Sequence, residues 1–360
     1  MNGQSSLYQL LAELDGIPGV SGYEERVAAY IKAQLNGITD EHYADPLGNQ
    51  IFIKRGRNPD LKLMLSAHMD EIGFIVHYID EQGFVFFVPA GGHDDRMLMN
   101  QVLTIHTDKG PVHGVTGSKP AHIVTPEEAK KSIPMANIHL DLGTSSRAET
   151  ESLGVRIGDF ITFERKGQLL NNTRVFTGKA VDDRSGCAVM IEVMKRLRDK
   201  QPEATVYAVA SVQEEVGIRG SGPAAFGIQP DVALAIDVTL AGGSPGIEPK
   251  EMPIQFGQGP AIKFYDWSLD TYHGNAVPRR LTRKLVEVAE KANIPYQREV
   301  LLHGATDGWG ISVSGTGVIT GCISIPSRYI HSAIGCVHLD DMEGAVQLIV
   351  SFIEELTEKL

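Results

Sequence analysis

The sequence predicts a doubly wound α/β fold: a largely parallel sheet with flanking helices, interrupted by a small inserted β-rich domain. Three observations carry this reading. Apolar strand-like runs alternate with helical patterns over 1–70 and again over 173–360. Between them, 71–172 holds short β-rich runs with little helical periodicity, punctuated by GGHDD, TDKGP and GSKP. At 360 residues the chain has room for two domains.

The elements follow in order. The first 40 residues read as helical. Ser21 and Glu24 have capping-box spacing ahead of Val27, Ala28, Ile31 and Leu35, which share one helical face. Strands are expected over 50–54 and 61–67, the second running into His68-Met69-Asp70. The insert offers strands over 73–79, 83–88, 102–106, 111–115 and 159–163. Alternation then resumes with a helix over 185–197, a strand over 205–212 followed by QEEVG, and a strand over 232–236 ending at Asp237. A helix over 280–292 and a strand over 318–325 followed by SRYIHS come next. The amphipathic helix over 342–360 places Val346, Ile349, Phe352, Ile353 and Leu356 on one face.

Composition bounds the partners. Hydrophobic residues make up 42% and charged residues 22%, so a sizeable core can form and a disordered or fibrous chain is excluded. The 45 acidic residues against 33 basic ones give a charge of −12. Such a surface repels phosphate backbones and anionic lipid, which argues against nucleic-acid and membrane partners. The three cysteines, Cys187, Cys322 and Cys336, have no scaffold spacing and fit a reducing compartment, with Cys322 as core filler. The N-terminus lacks a basic, then long apolar, leader pattern, and no window reaches ~18 consecutive apolar residues. A cytoplasmic location is the expectation.

Functional groups in open α/β sheets gather at the carboxyl ends of strands. Five polar segments sit after an apolar strand or open a helix: His68-Met69-Asp70, Asp182-Asp183, Glu214-Glu215, Asp237 and His331. Imidazoles and carboxylates together form the ligand set of zinc or a similar divalent ion, and this many suffice for two ions sharing a carboxylate. Each segment also has a plainer reading. His68 to Asp70 suits an exposed strand end, Asp182-Asp183 a helix N-cap and first-turn acid, Asp237 a turn, and His331 a satisfied polar group. Adjacent Glu214 and Glu215 after a buried run are costly unless a cation offsets them. The i, i+2 spacing lets Asp70 hold the second ring nitrogen of His68. His77, His93, His113, His139 and His338 read as structural or surface groups.

Paired carboxylates also serve glycoside hydrolysis, which needs no histidine. Nucleophilic catalysis is poorly supported, since no cysteine has an evident histidine partner in sequence, and AGGSPG fits neither phosphate-loop pattern.

The segments SAHMDEIGF, GKAVDDRSG, SVQEEVGIRGS, AIDV and RYIHS, with GSKPAHI in the insert, resemble in order and spacing the M42 family of metallo-aminopeptidases. The resemblance runs along essentially the whole chain. It implies a di-metal site, usually zinc or cobalt. His68, Asp182 and Asp237 correspond to the ligands of one ion; Asp182, Glu215 and His331 correspond to those of the other, with Asp182 bridging. Glu214 corresponds to the general base and Asp70 to the group orienting His68. The peptide bond after Asp182 is often cis in related enzymes. The resemblance further implies short peptides with a free N-terminus as substrates, dimers formed through the insert, and dimers assembling into a dodecamer. The chain departs from many relatives at Val181-Asp182-Asp183, where an aromatic residue and Asp-Asn are common. It departs again at Gly304 to Asp307, GATD in place of GGTD, a loop expected to border the substrate pocket. Two other readings stand beside the aminopeptidase: an endoglucanase-type glycoside hydrolase, and a non-catalytic metal or peptide binding module. An acid-selective pocket would need a cation, for which Arg219, Lys263 and Arg328 are candidates.

Overall fold

The computed structural model describes residues 6–171, 173–269 and 271–360. The first five residues of the expected N-terminal helical region, and the insert's last expected residue, Asn172, lie outside them. A mixed sheet forms the centre of the larger body. Its main path runs Glu41–Ala44, Gln50–Lys54, Ala204–Ser211, Asn58–His68, Val232–Leu240, Ile319–Arg328, Gly335–His338, Val175–Gly178 and Gln168–Leu169.

Parallel pairing on this path is confined to four central strands, 204–211, 58–68, 232–240 and 319–328. The flanks are antiparallel. Connection length explains the antiparallel pairs whose strands adjoin in the chain. A parallel neighbour needs a crossover of a dozen or more residues, whereas Ala44 turns into Gln50 across five. There the Asp45 carboxylate accepts from the amides of Leu47, Gly48 and Asn49 and closes the turn.

Strand alternation separates two apolar layers. Leu61, Leu63 and Leu65 face a core shared with the helices Ser6–Gly16, Glu25–Leu35, Val181–Arg196, Arg279–Lys291 and Leu339–Glu355. Met64, Val209 and Ala233 face Ser221–Ile228 and Asp307–Ser312 on the other side. The helix 181–196 is buried along most of its length, as a helix wedged between sheet and outer helices must be.

Residues 73–163 carry a closed six-stranded barrel, in the order Gly73–Ile79, Val85–Ala90, Leu140–Asp141, Gly110–Thr116, Val102–Thr107 and Phe160–Phe163. Phe74 anchors its core, with ring centroids 4.9 Å from Phe87 and 5.6 Å from Phe163. The second strand begins at Val85 rather than Gly83. Gly83 has φ +94° and closes a turn in which Asp80 accepts from the amide of Phe84.

Two expectations are corrected. The strand 232–240 runs three residues past Asp237, so this acid lies within a strand and not at a turn. The capping box at Ser21 and Glu24 is absent. The helix starts at Glu25 with no side-chain cap, and both side chains are used elsewhere.

Candidate active site

The four parallel strands deliver their carboxyl ends to one edge of the sheet, and the candidate residues collect there. His68 is the last residue of its strand and pairs in register with Ser211 on the neighbour. Three residues beyond Ser211 the chain reaches Glu214 and Glu215. Asp237 comes from the next parallel strand, and His331 from the loop after Arg328. Asp182 comes from the start of the buried helix, where it and Asp183 have non-helical dihedrals and the peptide between them is cis. The two acids divide the readings open to the pair. Asp183 accepts from the amide of Gly186 at 2.9 Å, as a helix cap does, while Asp182 points to the histidines.

Two donor groups form, each with ligand atoms within 4.8 Å of one another: His68, Asp182 and Asp237, and Asp182, Glu215 and His331. The Asp182 carboxylate splits between them. Its Oδ1 is 3.1 Å from His68 Nε2, and its Oδ2 is 3.4 Å from His331 Nε2. His68 Nε2 is 4.0 Å from Asp237 Oδ1, and His331 Nε2 is 3.3 Å from Glu215 Oε2. Ligands bound at ~2.0–2.2 Å to a common ion have spacings of this order. Glu215 Oε1 is buried without a hydrogen-bond partner, which a buried carboxylate rarely tolerates unless a cation is its partner. The donor set therefore fits divalent ions.

The electrostatics agree. Burial, reinforced by neighbouring acids, pushes the carboxyls of Glu214, Asp237 and Asp183 well above their usual range. Burial likewise raises Glu215 to about 7. Burial also acts against the Asp182 carboxylate, but hydrogen bonds from His331 and His68 hold it well below the usual range. The charge of Glu215 raises His331 to about 10.

Asp70 lies behind this cluster. His68 Nδ1 is 3.1 Å from the Asp70 backbone carbonyl and 3.5 Å from Asp70 Oδ1, so the residue orients the imidazole mainly through its main chain. Its carboxylate accepts from the amides of Glu214 at 3.0 Å and Glu215 at 3.1 Å, and from Ser21 Oγ at 2.6 Å. Glu24 Oε1 accepts from the amides of Gly22 and Gln213. The two residues expected to cap a helix instead brace the loop that carries Glu214 and Glu215.

Other supports come from unexpected places. Fully buried Arg184 donates to the carbonyls of Leu14, Ile17, Gly19 and Met69, tying the N-terminal segment to the backbone beside His68. Asp307, from the GATD loop, accepts from Ser66 and Ser211 below the site. The barrel also reaches the site. A Cβ on Gly91 would lie 3.3 Å from Glu215 Oε2, and one on Gly92 would lie 3.1 Å from His331 Nδ1. Gly91 has φ +91°, which a side chain disfavours.

A cavity of about 500 Å³ opens over the cluster. Glu214 lines it without joining either donor group. Gly304, Ala305 and Thr306 form part of the wall, as does Lys263; Arg219 and Arg328 do not line it. His273 and His303 also line it, and neither was singled out in the sequence. The GATD segment directly after His303 was the available signal.

A histidine-bearing acidic cavity at the carboxyl ends of a parallel sheet is the arrangement of a metal-dependent hydrolase. Comparison with known proteins narrows the class. The family model described as M42 glutamyl aminopeptidase matches residues 48–348, and the chain belongs to the M42 peptidase family. A lysyl aminopeptidase of Pyrococcus furiosus is 36% identical over 354 residues, covering 97% of each chain. The structure of a TET aminopeptidase from a marine-sediment thaumarchaeon superposes with a TM-score of 0.92 at 37% identity, covering 97% of this chain and 96% of that one. The dodecameric TET1 structure PhTET1-12s gives a TM-score of 0.87 at 32% identity, covering 98% and 100%. Among the described residues no helix is long and apolar enough to cross a membrane.

Proposed function

We propose that the chain is an aminopeptidase that releases N-terminal residues from short peptides, using two divalent metal ions, zinc or cobalt. The observation that carries this is the Asp182 carboxylate, with one oxygen beside His68 and the other beside His331. His68, Asp182 and Asp237 would hold one ion, and Asp182, Glu215 and His331 the other. Bound there, the ions would polarise the scissile carbonyl and lower the pKa of water.

The chain's own residues do the rest. Glu214 takes a proton from the attacking water and passes it to the leaving amine. Asp70 fixes the base and one ligand together by holding both of their amides. The loop at Gly91 and Gly92 backs Glu215 and His331. Two histidines in the donor set favour peptide over glycoside hydrolysis, and the carboxylate of Glu214, free of both donor groups, favours an enzyme over a binding module. Residues 71–172 serve as the dimerisation domain, and dimers assemble into a dodecamer, a reading supported by the dodecameric TET1 relative.

The test is peptide release under metal control. Protein stripped by chelator and titrated with zinc or cobalt should cleave peptides with free, not acetylated, N-termini, with activity saturating near two ions per chain. Absence of metal-dependent cleavage of every peptide tried overturns the proposal.

A further inference from the structure

The aminopeptidase reading leaves open which N-terminal side chain the cavity accepts. We infer that the cavity selects an uncharged one, because Glu299 already neutralises the buried ammonium of Lys263 in its wall; this rests on the function proposed above. Among the described residues lining the cavity, Lys263 is the only lysine or arginine. An acidic side chain therefore has one candidate counter-charge.

That counter-charge is engaged. Lys263 and Glu299 are register partners on adjacent parallel strands, Ala261–Trp267 and Gln297–Leu301. Lys263 Nζ lies 3.0 Å from Glu299 Oε2, and the two side chains are 0% and 2% exposed. The ammonium also donates to Thr239 Oγ1 at 3.2 Å, while the Thr239 hydroxyl donates to the other carboxylate oxygen, Glu299 Oε1. Both oxygens of Glu299 are thus satisfied within the wall. A buried pair closed in this way presents no net charge to a ligand.

The remaining charges do not favour a charged ligand. The other acids of the wall are Asp182, Glu214, Glu215 and Asp237, which the proposed function assigns to metal ions and to proton transfer. A basic side chain finds those carboxylates occupied and Glu299 paired. An acidic one finds, among the described residues of the wall, no lysine or arginine free to pair with it. What the wall does offer is Val238, Leu240, Leu301 and Ile330, with hydroxyls at Ser268 and Thr271. Such a surface suits a neutral aliphatic side chain such as leucine or methionine.

The test compares kcat/KM for leucyl, methionyl, glutamyl, aspartyl and lysyl p-nitroanilides on the metal-loaded enzyme at pH 8, where an ordinary histidine is neutral. Leucyl and methionyl substrates should exceed glutamyl and lysyl ones by at least about tenfold. Glu299→Gln frees the ammonium and should raise the glutamyl-to-leucyl ratio by about tenfold or more. Lys263→Met should move the lysyl-to-leucyl ratio upward instead. The double variant Lys263→Met/Glu299→Leu, which leaves no unpaired buried charge, should keep the wild-type preference. Should the single variants fail to fold, the wild-type panel and the double variant still decide. Equal or preferential cleavage of glutamyl or lysyl substrates by the wild type overturns this inference alone. Cleavage of none of the substrates overturns the aminopeptidase reading and this inference with it.

Discussion

The two halves of the candidate site are built differently. His68 and Asp237 stand on strands at the centre of the sheet, and the His68 side chain is 2% exposed. Glu215 and His331 stand on loops, and the His331 side chain is 40% exposed with its backbone at φ +56°. Asp182 belongs to both. The deep half is held by ladder hydrogen bonds and packing. The shallow half is held by side chains reaching in from elsewhere: Asp70, Ser21, Glu24 and the barrel's glycine loop. On the proposed di-metal reading, a strand-borne half paired with a loop-borne one that is open at His331 predicts an ion that stays in place beside one that exchanges more readily.

Substitutions test that contrast in descending order of effect. Asp182→Asn touches both halves and should reduce turnover to background, with metal content by elemental analysis falling for both ions. Glu214→Gln should keep both ions while kcat falls about 10²–10⁴-fold; unchanged turnover removes Glu214 from the mechanism. His331→Ala should release one ion and leave the other bound, whereas His68→Ala should also lower thermal stability, because it strands buried acids without a partner. Loss of both ions on His331→Ala would break the contrast between the halves.

Acid should weaken ion binding at the shallow half. His331, raised to about 10 chiefly by Glu215, and Glu215, raised to about 7 chiefly by burial, would both give up protons on binding the proposed ion. Affinity for that ion should therefore rise with pH across this range, by up to about tenfold per unit for each proton displaced, as metal titrations at several pH values would read out. The smallest effect is expected at the brace. Ser21→Ala removes one hydrogen bond to Asp70 and should lower kcat about tenfold, with KM little changed. An unchanged kcat would show that Asp70 holds the loop without it.

Much of the fold can be read from apolar periodicity. Burial of one strand face or one helix stripe is a local pattern that survives into the folded state, as at 61–67 and along the helix that ends in Val346, Ile349, Phe352 and Ile353. Pairing direction at the sheet's flanks was less legible, because it turns on the closure of short loops such as Asp45 to Asn49. Ser21 and Glu24 show how local grammar is overruled. Their spacing matches a helix cap, but the Asp70 carboxylate and the Gln213 amide are stronger or needier partners, and only the folded chain brings them near.

The sequence alone determined which residue types were available: the imidazoles of His68 and His331, and the acids at 182, 214, 215 and 237. That information is local, and a family resemblance could organise it. Tertiary structure decided the rest. It turned one Asp182 oxygen to each histidine, made Asp70 a clamp on two amides, placed Gly91 and Gly92 of the barrel against the site, and closed Lys263 onto Glu299. Each of these depends on atoms far apart in the chain meeting within about 3–4 Å, where desolvation makes the choice of partner decisive.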